Sequence, residues 1–416
     1  MNSPFKTAMA EVTRLTRAGR LSDAMAAIRN ALSGKEATAP QPGDSPAGQK
    51  ASVIDLQPPR AADGSWTAPD QEAPRESDRQ AEAGASWTGL PHGLAPAGMP
   101  EALRDFLGRI GEPGTLPGLD RGPNQAPAPL PEGARFEERV FANAAGRRAY
   151  KLYVPARSTG EPLPLVVMLH GCTQSPDDFA AGTRMNELAE EEGFLVAYPA
   201  QTKSANVQKC WNWFNVSDQQ RDQGEPALIA GITRAIMEEF PVAPGRVYVA
   251  GLSAGGAAAA VMGATYPDLY AAVGVHSGLA CGAARDVASA FAAMRQGGAP
   301  ARHAGRTVPT IVFHGDGDKT VHPVNGDHVI AQSKAASDLR ATVDRGQSPG
   351  GVSYTRTVQT DENGHPMLEQ WVLHGAGHAW SGGSPAGSYT DPRGPDASRE
   401  MLRFFQAHPA VRPPQH

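Results

Sequence analysis

Three short stretches of this chain carry side chains that could act on one another. The first is Gly251-Leu252-Ser253-Ala254-Gly255, which follows the apolar run Val247-Tyr248-Val249-Ala250 and precedes the small residues Gly256 to Ala260. Strand, G-x-S-x-G turn and helix form the context in which a strained turn presents a serine hydroxyl as a nucleophile. A serine hydroxyl is weak at neutral pH and needs an adjacent base. Ser277, in Val275-His276-Ser277-Gly278, is the rival: it too follows a strand-like run but lacks the flanking glycines.

The second stretch is His314-Gly315-Asp316-Gly317-Asp318-Lys319-Thr320-Val321, delivered by the buried-strand run Thr310 to His314. In open α/β folds such loops lie at the carboxyl edge of the sheet, where active sites form. Asp316 and Asp318 compete as the acid. The pattern H-G-x-x-D-x-x-V resembles the acid loop of α/β-hydrolases and selects Asp318, which leaves Asp316 to cap or shape the loop. The third stretch is His374-Gly375-Ala376-Gly377-His378-Ala379-Trp380-Ser381-Gly382-Gly383, after the strand-like Trp371 to Leu373. His378 is the candidate base, and His374, at the strand end, reads as structural. In this order Asp318 would fix the tautomer of His378, and His378 would take and return the proton of Ser253.

Acyl transfer also needs backbone N–H donors for a developing oxyanion. Ala254, next to the nucleophile, supplies one. The other should come from His170-Gly171-Cys172-Thr173-Gln174, after the run Leu165 to Leu169. Cys172 is the choice there, with Gly171 and Thr173 as alternatives.

These stretches need a sheet to hold them. Phe136 to Phe141 and Arg148 to Pro155 alternate as an antiparallel edge hairpin. Buried-strand runs follow at 164–170, 194–198, 247–250, 271–275, 310–314 and 369–373. Helical patterns fall at 177–192, 225–240, 256–266, 324–337 and 396–405. Strands alternating with helices predict an α/β fold: a mostly parallel sheet with helices on both faces. This domain is expected to span 134–408.

Before it the chain changes character. Residues 1–33 place Phe5, Met9, Val12, Leu15, Leu21, Met25, Ile28 and Leu32 at helical spacing, as an amphipathic docking or surface-anchoring segment. Residues 34–133 are rich in Pro, Gly and Ala and read as a disordered linker, with a short helix expected at 100–107. The 38 basic and 43 acidic residues give a formal net charge of −5. That balance offers no global reason to bind nucleic acid or an anionic membrane. No apolar run is long enough to span a bilayer. Charges at Lys6, Glu11, Arg14, Arg17, Arg20 and Asp23 interrupt any signal-peptide core. Three cysteines exclude a disulfide scaffold. No cluster has zinc or calcium spacing, so the expected chemistry uses neither metal nor cofactor.

Together the motifs resemble the poly(3-hydroxybutyrate) (PHB) depolymerase family of α/β-hydrolase esterases over residues 135–408. The matching residues are Leu169 to Gln174, Cys210-Trp211-Asn212-Trp213-Phe214, Gly251 to Gly256, the Asp318 loop and Gly375 to Gly383. The resemblance implies a serine esterase on the α/β-hydrolase fold, acting on short-chain polyhydroxyalkanoate or related esters. Feruloyl and acetylxylan esterases share the pattern and are the alternative. A non-catalytic granule-binding protein is the alternative of another class. The resemblance places Trp211, Trp213 and Trp380 near the substrate pocket and leaves a Cys172–Cys210 disulfide open. It also implies an extracellular enzyme. The interrupted N-terminus and the short stretch after His378 depart from extracellular depolymerases. Those departures make the cytoplasm the alternative and favour amorphous granules, oligomers or small esters. Residues 1–33 could then lie on a granule surface.

Overall fold

The computed structural model describes residues 130–156, 160–300, 308–334 and 338–410. The expectations for 1–33, for 34–129 and for a helix at 100–107 lie outside the described residues.

The chain opens with an antiparallel hairpin, β1 (Arg135–Asn143) and β2 (Gly146–Val154). The central strands are β3 (Leu163–Leu169), β4 (Leu195–Pro199), β5 (Val242–Leu252), β6 (Ala272–His276), β7 (Thr310–Gly315) and β10 (Pro366–Leu373). Two more, β8 (Arg340–Gln347) and β9 (Ser353–Thr360), complete a 10-stranded sheet of order β1-β2-β4-β3-β5-β6-β7-β10-β9-β8. Neighbours from β4 through β10 run parallel, and the pairs outside them are antiparallel. The short strands β11 (Trp380–Ser381) and β12 (Thr390–Asp391) pair separately.

Parallel strands need crossover helices, and these cover both faces. Alternation within each strand splits the core in two. Leu165, Val167 and Leu169 join one layer with Val247 and Val249. Val166 and Met168 join the other with Tyr248 and Ala250. The first layer takes α3 (Gly224–Glu239), α4 (Ala254–Thr265), α5 (Val287–Gln296) and α6 (Val324–Lys334). The second takes α1 (Pro176–Thr183), α2 (Met185–Glu192) and α7 (Ala397–Gln406). Burying each large aliphatic side chain in these layers contributes roughly 1.5–3 kcal/mol.

The helix expected over 177–192 is broken. Arg184 takes φ 56° and ψ 24°, ending α1 and starting α2, with its N–H on the Ala180 carbonyl at 3.0 Å. The break follows a close approach. A Cβ on Gly182 would lie 3.0 Å from Thr390 Cγ2 and 3.3 Å from Gly387 Cα, so the chain turns where it meets that segment. The helix α5 and the strands β8, β9, β11 and β12 are additions to the elements expected from sequence.

Candidate active site

Ser253 stands between β5 and α4 with φ 58° and ψ −119°, a conformation a side chain rarely adopts. Its N–H donates to the His276 carbonyl at 2.9 Å. The flanking glycines answer to contact distance. A Cβ on Gly251 would meet the Gly255 carbonyl oxygen at 2.3 Å, and a Cβ on Gly255 would meet the Leu169 carbonyl oxygen at 2.0 Å. Only glycine lets helix and strand approach this closely. Ser253 keeps 9% exposure at the carboxyl end of the parallel strands. Its rival Ser277 is fully buried, with its N–H on the Phe313 carbonyl and its hydroxyl 3.1 Å from His276 Nδ1.

Neighbouring parallel strands bring the acid and base loops together. β7 and β10 pair with Gly315 opposite Leu373, so the loops that leave them start side by side. Asp318 Oδ2 and His378 Nδ1 lie 2.7 Å apart. Asp318 Oδ1 accepts the N–H groups of Thr320 at 2.8 Å and Val321 at 2.9 Å. Burial opposes the Asp318 charge, but His378 together with hydrogen bonds from His314 and His378 holds the carboxyl well below its usual range. An ionised carboxylate only accepts, so His378 Nδ1 donates in this contact, and Nε2 is the acceptor whenever the imidazole is neutral. Among the described residues Ser253 Oγ and His378 Nε2 form no hydrogen bond, as catalytic contacts in ligand-free sites often do not.

Backbone donors separate the oxyanion alternatives. The Gly171 N–H is engaged by Gln174 Oε1 at 2.9 Å, and the Thr173 N–H by the Gln208 carbonyl at 2.6 Å. Among the described residues the Cys172 N–H has no hydrogen-bond acceptor. The same holds for the Ala254 N–H, one of the unpaired donors at the start of a helix. Cys172 is disulfide-bonded to Cys210, with Cα atoms 4.2 Å apart. Thr173, at φ 66°, reaches Tyr389 across 3.1 Å between hydroxyls.

His170 is buried behind this loop. Its Nε2 accepts the Gln201 N–H at 3.0 Å, so Nδ1 donates to the Gly171 carbonyl at 2.7 Å. Burial lowers its pKa to about 4 and keeps it neutral.

The three tryptophans are buried. Trp211 is 0% and Trp380 1% exposed, and their indole N–H groups are used internally, on the His170 carbonyl at 3.1 Å and on Ser398 Oγ at 3.1 Å. Trp213, 6% exposed, packs edge-on against Phe214. All three rings are largely enclosed. They support the loops from behind.

Sequence reasoning missed His276 and Tyr389. A histidine at a strand end carries no spacing signal, and Tyr389 lies in a stretch without periodicity. Among the described residues no group of three or more His, Cys, Asp or Glu side chains is placed to hold a metal ion. No described helix is long and apolar enough to cross a membrane.

Residues 148–346 match the family model described as esterase PHB depolymerase. The chain is 33% identical over 228 residues to poly(3-hydroxyalkanoate) depolymerase C of Paucimonas lemoignei, covering 52% of this chain and 54% of that protein. It is 28% identical over 248 residues to feruloyl esterase B of Thermothelomyces thermophilus, covering 55% of this chain and 82% of that protein. The chain thus spans about half the length of the depolymerase. Among solved structures, an acetyl xylan esterase from Aspergillus awamori superposes with a TM-score of 0.53 at 20% identity, over 66% of this chain and 99% of that one. At that identity the likeness speaks for the fold alone.

Proposed function

We propose that the chain is a serine ester hydrolase acting on poly- or oligo(3-hydroxybutyrate), a reading supported by the match of residues 148–346 to the esterase PHB depolymerase family model and by the likeness to a poly(3-hydroxyalkanoate) depolymerase. Ser253 is its nucleophile, His378 its base and Asp318 its orienting acid. The observation that carries this reading is the buried Asp318–His378 contact of 2.7 Å, on loops at the sheet edge where the Ser253 turn also ends.

In this mechanism His378 Nε2 takes the Ser253 hydroxyl proton as Oγ attacks the ester carbonyl carbon. The carbonyl π pair moves to oxygen, and the oxyanion accepts the Cys172 and Ala254 N–H groups. Collapse breaks the ester C–O bond, and the leaving alcohol takes the proton from His378. Water then attacks the acyl-enzyme by the same route and releases the acid and free Ser253.

A second reading has its own support. The match covers 82% of a feruloyl esterase B, so a feruloyl or acetylxylan ester is the alternative substrate. The test is hydrolysis by wild type and Ser253→Ala of p-nitrophenyl butyrate, a 3-hydroxybutyrate trimer, amorphous PHB and methyl ferulate. Trimer and polymer cleavage lost in Ser253→Ala supports the first reading. Preference for methyl ferulate moves the assignment to the second. No cleavage of any ester overturns both and leaves a non-catalytic binding protein.

A further inference from the structure

His276 has no part in the proton transfers, yet it contacts both the nucleophile turn and the base loop. It ends β6, between the strand that leads to Ser253 and the strand that leads to Asp318. Its carbonyl accepts the Ser253 N–H at 2.9 Å. Its ring Nε2 accepts the Ser381 N–H at 3.0 Å, three residues beyond His378. Because a backbone N–H only donates, Nε2 is unprotonated and Nδ1 carries the hydrogen towards Ser277 Oγ at 3.1 Å. The ring lies between Phe313 of β7, at 5.7 Å and 11°, and Trp380 of the base loop, at 5.1 Å and 26°. It is fully buried.

One residue thus holds the nucleophile turn through its backbone and the base loop through its side chain, with its ring pressed against the strand that supplies the acid. A generic apolar residue would fill the space but could not accept the Ser381 N–H. We infer that His276 is a positioning residue that keeps the Ser253 turn and the His378 loop in register. The inference rests on the proposed roles of Ser253 and His378. Such register matters because a misplacement of about 1 Å can cost about 10²-fold in rate.

The test compares His276→Phe, which keeps a flat ring but loses the acceptor, with His276→Gln, which keeps an amide acceptor. The readouts are kcat and KM on p-nitrophenyl butyrate and the rate at which a fluorophosphonate labels Ser253. His276→Phe is expected to lower kcat and labelling by about 10²-fold with KM little changed, and His276→Gln to recover about tenfold of that loss. A His276→Phe variant within about threefold of wild type overturns the inference, as do equal losses in both variants. A merely structural role would lower melting temperature alike in both without splitting kcat from KM.

Amide hydrogen exchange on wild type decides the matter where His276→Phe does not fold. The Ser381 amide should be protected together with that of Ser253, and exchange of Ser381 at open-loop rates overturns the inference. Wild type lacking Ser253-dependent hydrolysis would instead overturn the functional reading, and the exchange measurement would still decide the role of His276.

Discussion

Asp316 and His374 stand 2.8 Å apart, Oδ2 to Nδ1, and join the same two loops as Asp318 and His378 at 2.7 Å. Two Asp–His pairs thus run side by side, one outside and one within. Asp316 and His374 side chains are 43% and 42% exposed, whereas Asp318 and His378 are 0% and 13% exposed. Asp316 also accepts the Gly375 N–H at 2.6 Å, and His374 Nε2 meets Thr355 Oγ1 at 2.9 Å. The outer pair therefore clasps the loops from solvent, and the inner pair has the burial an orienting carboxylate needs.

The pairs should respond differently to isosteric neutralisation. Asp318→Asn presents the wrong partner to His378 Nδ1–H, and kcat should fall by about 10³–10⁴-fold. Asp316→Asn weakens an exposed contact worth about 0–1 kcal/mol, so kcat should fall by no more than about fivefold. Steady-state kinetics on p-nitrophenyl butyrate checks both, and equal losses would end the distinction between acid and clasp.

The oxyanion loop is fastened on both sides. The Cys172–Cys210 disulfide and the Thr173 N–H on Gln208 hold one flank. Gln174 Nε2 holds the other, on Asp178 Oδ2 and the Ser388 carbonyl, both at 3.0 Å. Replacing both cysteines by alanine opens a closure across a sequence separation of 38 residues. That should cost about 3–4 kcal/mol on the chain-entropy account. The Cys172 N–H also loses its fixed aim, and a well-placed oxyanion donor is worth about 10²–10³ in kcat. Because the other ties persist, a loss of about tenfold is expected. Urea melts and kcat with and without dithiothreitol test this, and indifference of both to reduction would refute it.

What could be read beforehand follows from how local each signal is. Ser253, Asp318 and His378 each stand in a loop after an apolar strand run, so position made Ser253 and His378 candidates, while resemblance to the α/β-hydrolase acid loop chose Asp318 over Asp316. The central strands were legible because burial on both faces leaves continuous apolar runs. β8 was not: Arg340 to Gln347 is almost wholly exposed, carries one valine, and is a strand because β9 pairs with it. Arg184 interrupts a good helical pattern two residues after Gly182, which packs against residues more than 200 positions away. The placement of the tryptophans depends on non-local packing in the same way. An aromatic residue beside a motif can face the pocket or the core, and only the packing of both layers decides.

Gly255→Ala tests why the nucleophile turn needs glycine. The added Cβ would sit 2.0 Å from the Leu169 carbonyl oxygen and 2.6 Å from that of His170, both rigid backbone. Helix α4 must then move away from β3 and from the oxyanion loop. Overpacking of this kind costs about 1–3 kcal/mol, sometimes more, and the displaced Ala254 N–H should lower kcat further. Gly377→Ala is the control, since a Cβ there meets nothing within 4 Å. Thermal melts should show a clear loss for the first and little for the second, and comparable melts would refute the steric account.

The pH dependence of stability should come from three buried groups of opposite sign. His170 and His276 are pushed down by burial, to about 4 and about 3. Below their unfolded value of about 6.5 the unfolded chain binds protons that the native state refuses, so each costs stability as pH falls. Glu225 is pushed up to about 7, mainly by burial, despite hydrogen bonds from Asn212 and Gln201. Its native form holds a proton that the unfolded chain releases above about 4.5, so it adds stability as pH falls from 7. Each term amounts to about 1.4 kcal/mol per pH unit. Between pH 6.5 and 5, two partly titrating imidazoles against one carboxyl should leave wild type losing about 1 kcal/mol per unit. His276→Phe removes one imidazole and should make the profile nearly flat. Glu225→Gln removes the opposing carboxyl and should steepen the loss to about twice the wild-type slope. Urea denaturation at pH 6.5, 5.75 and 5 for the three proteins measures the slopes. A Glu225→Gln profile no steeper than wild type would mean that Glu225 is ionised throughout, held by its hydrogen bonds rather than governed by burial.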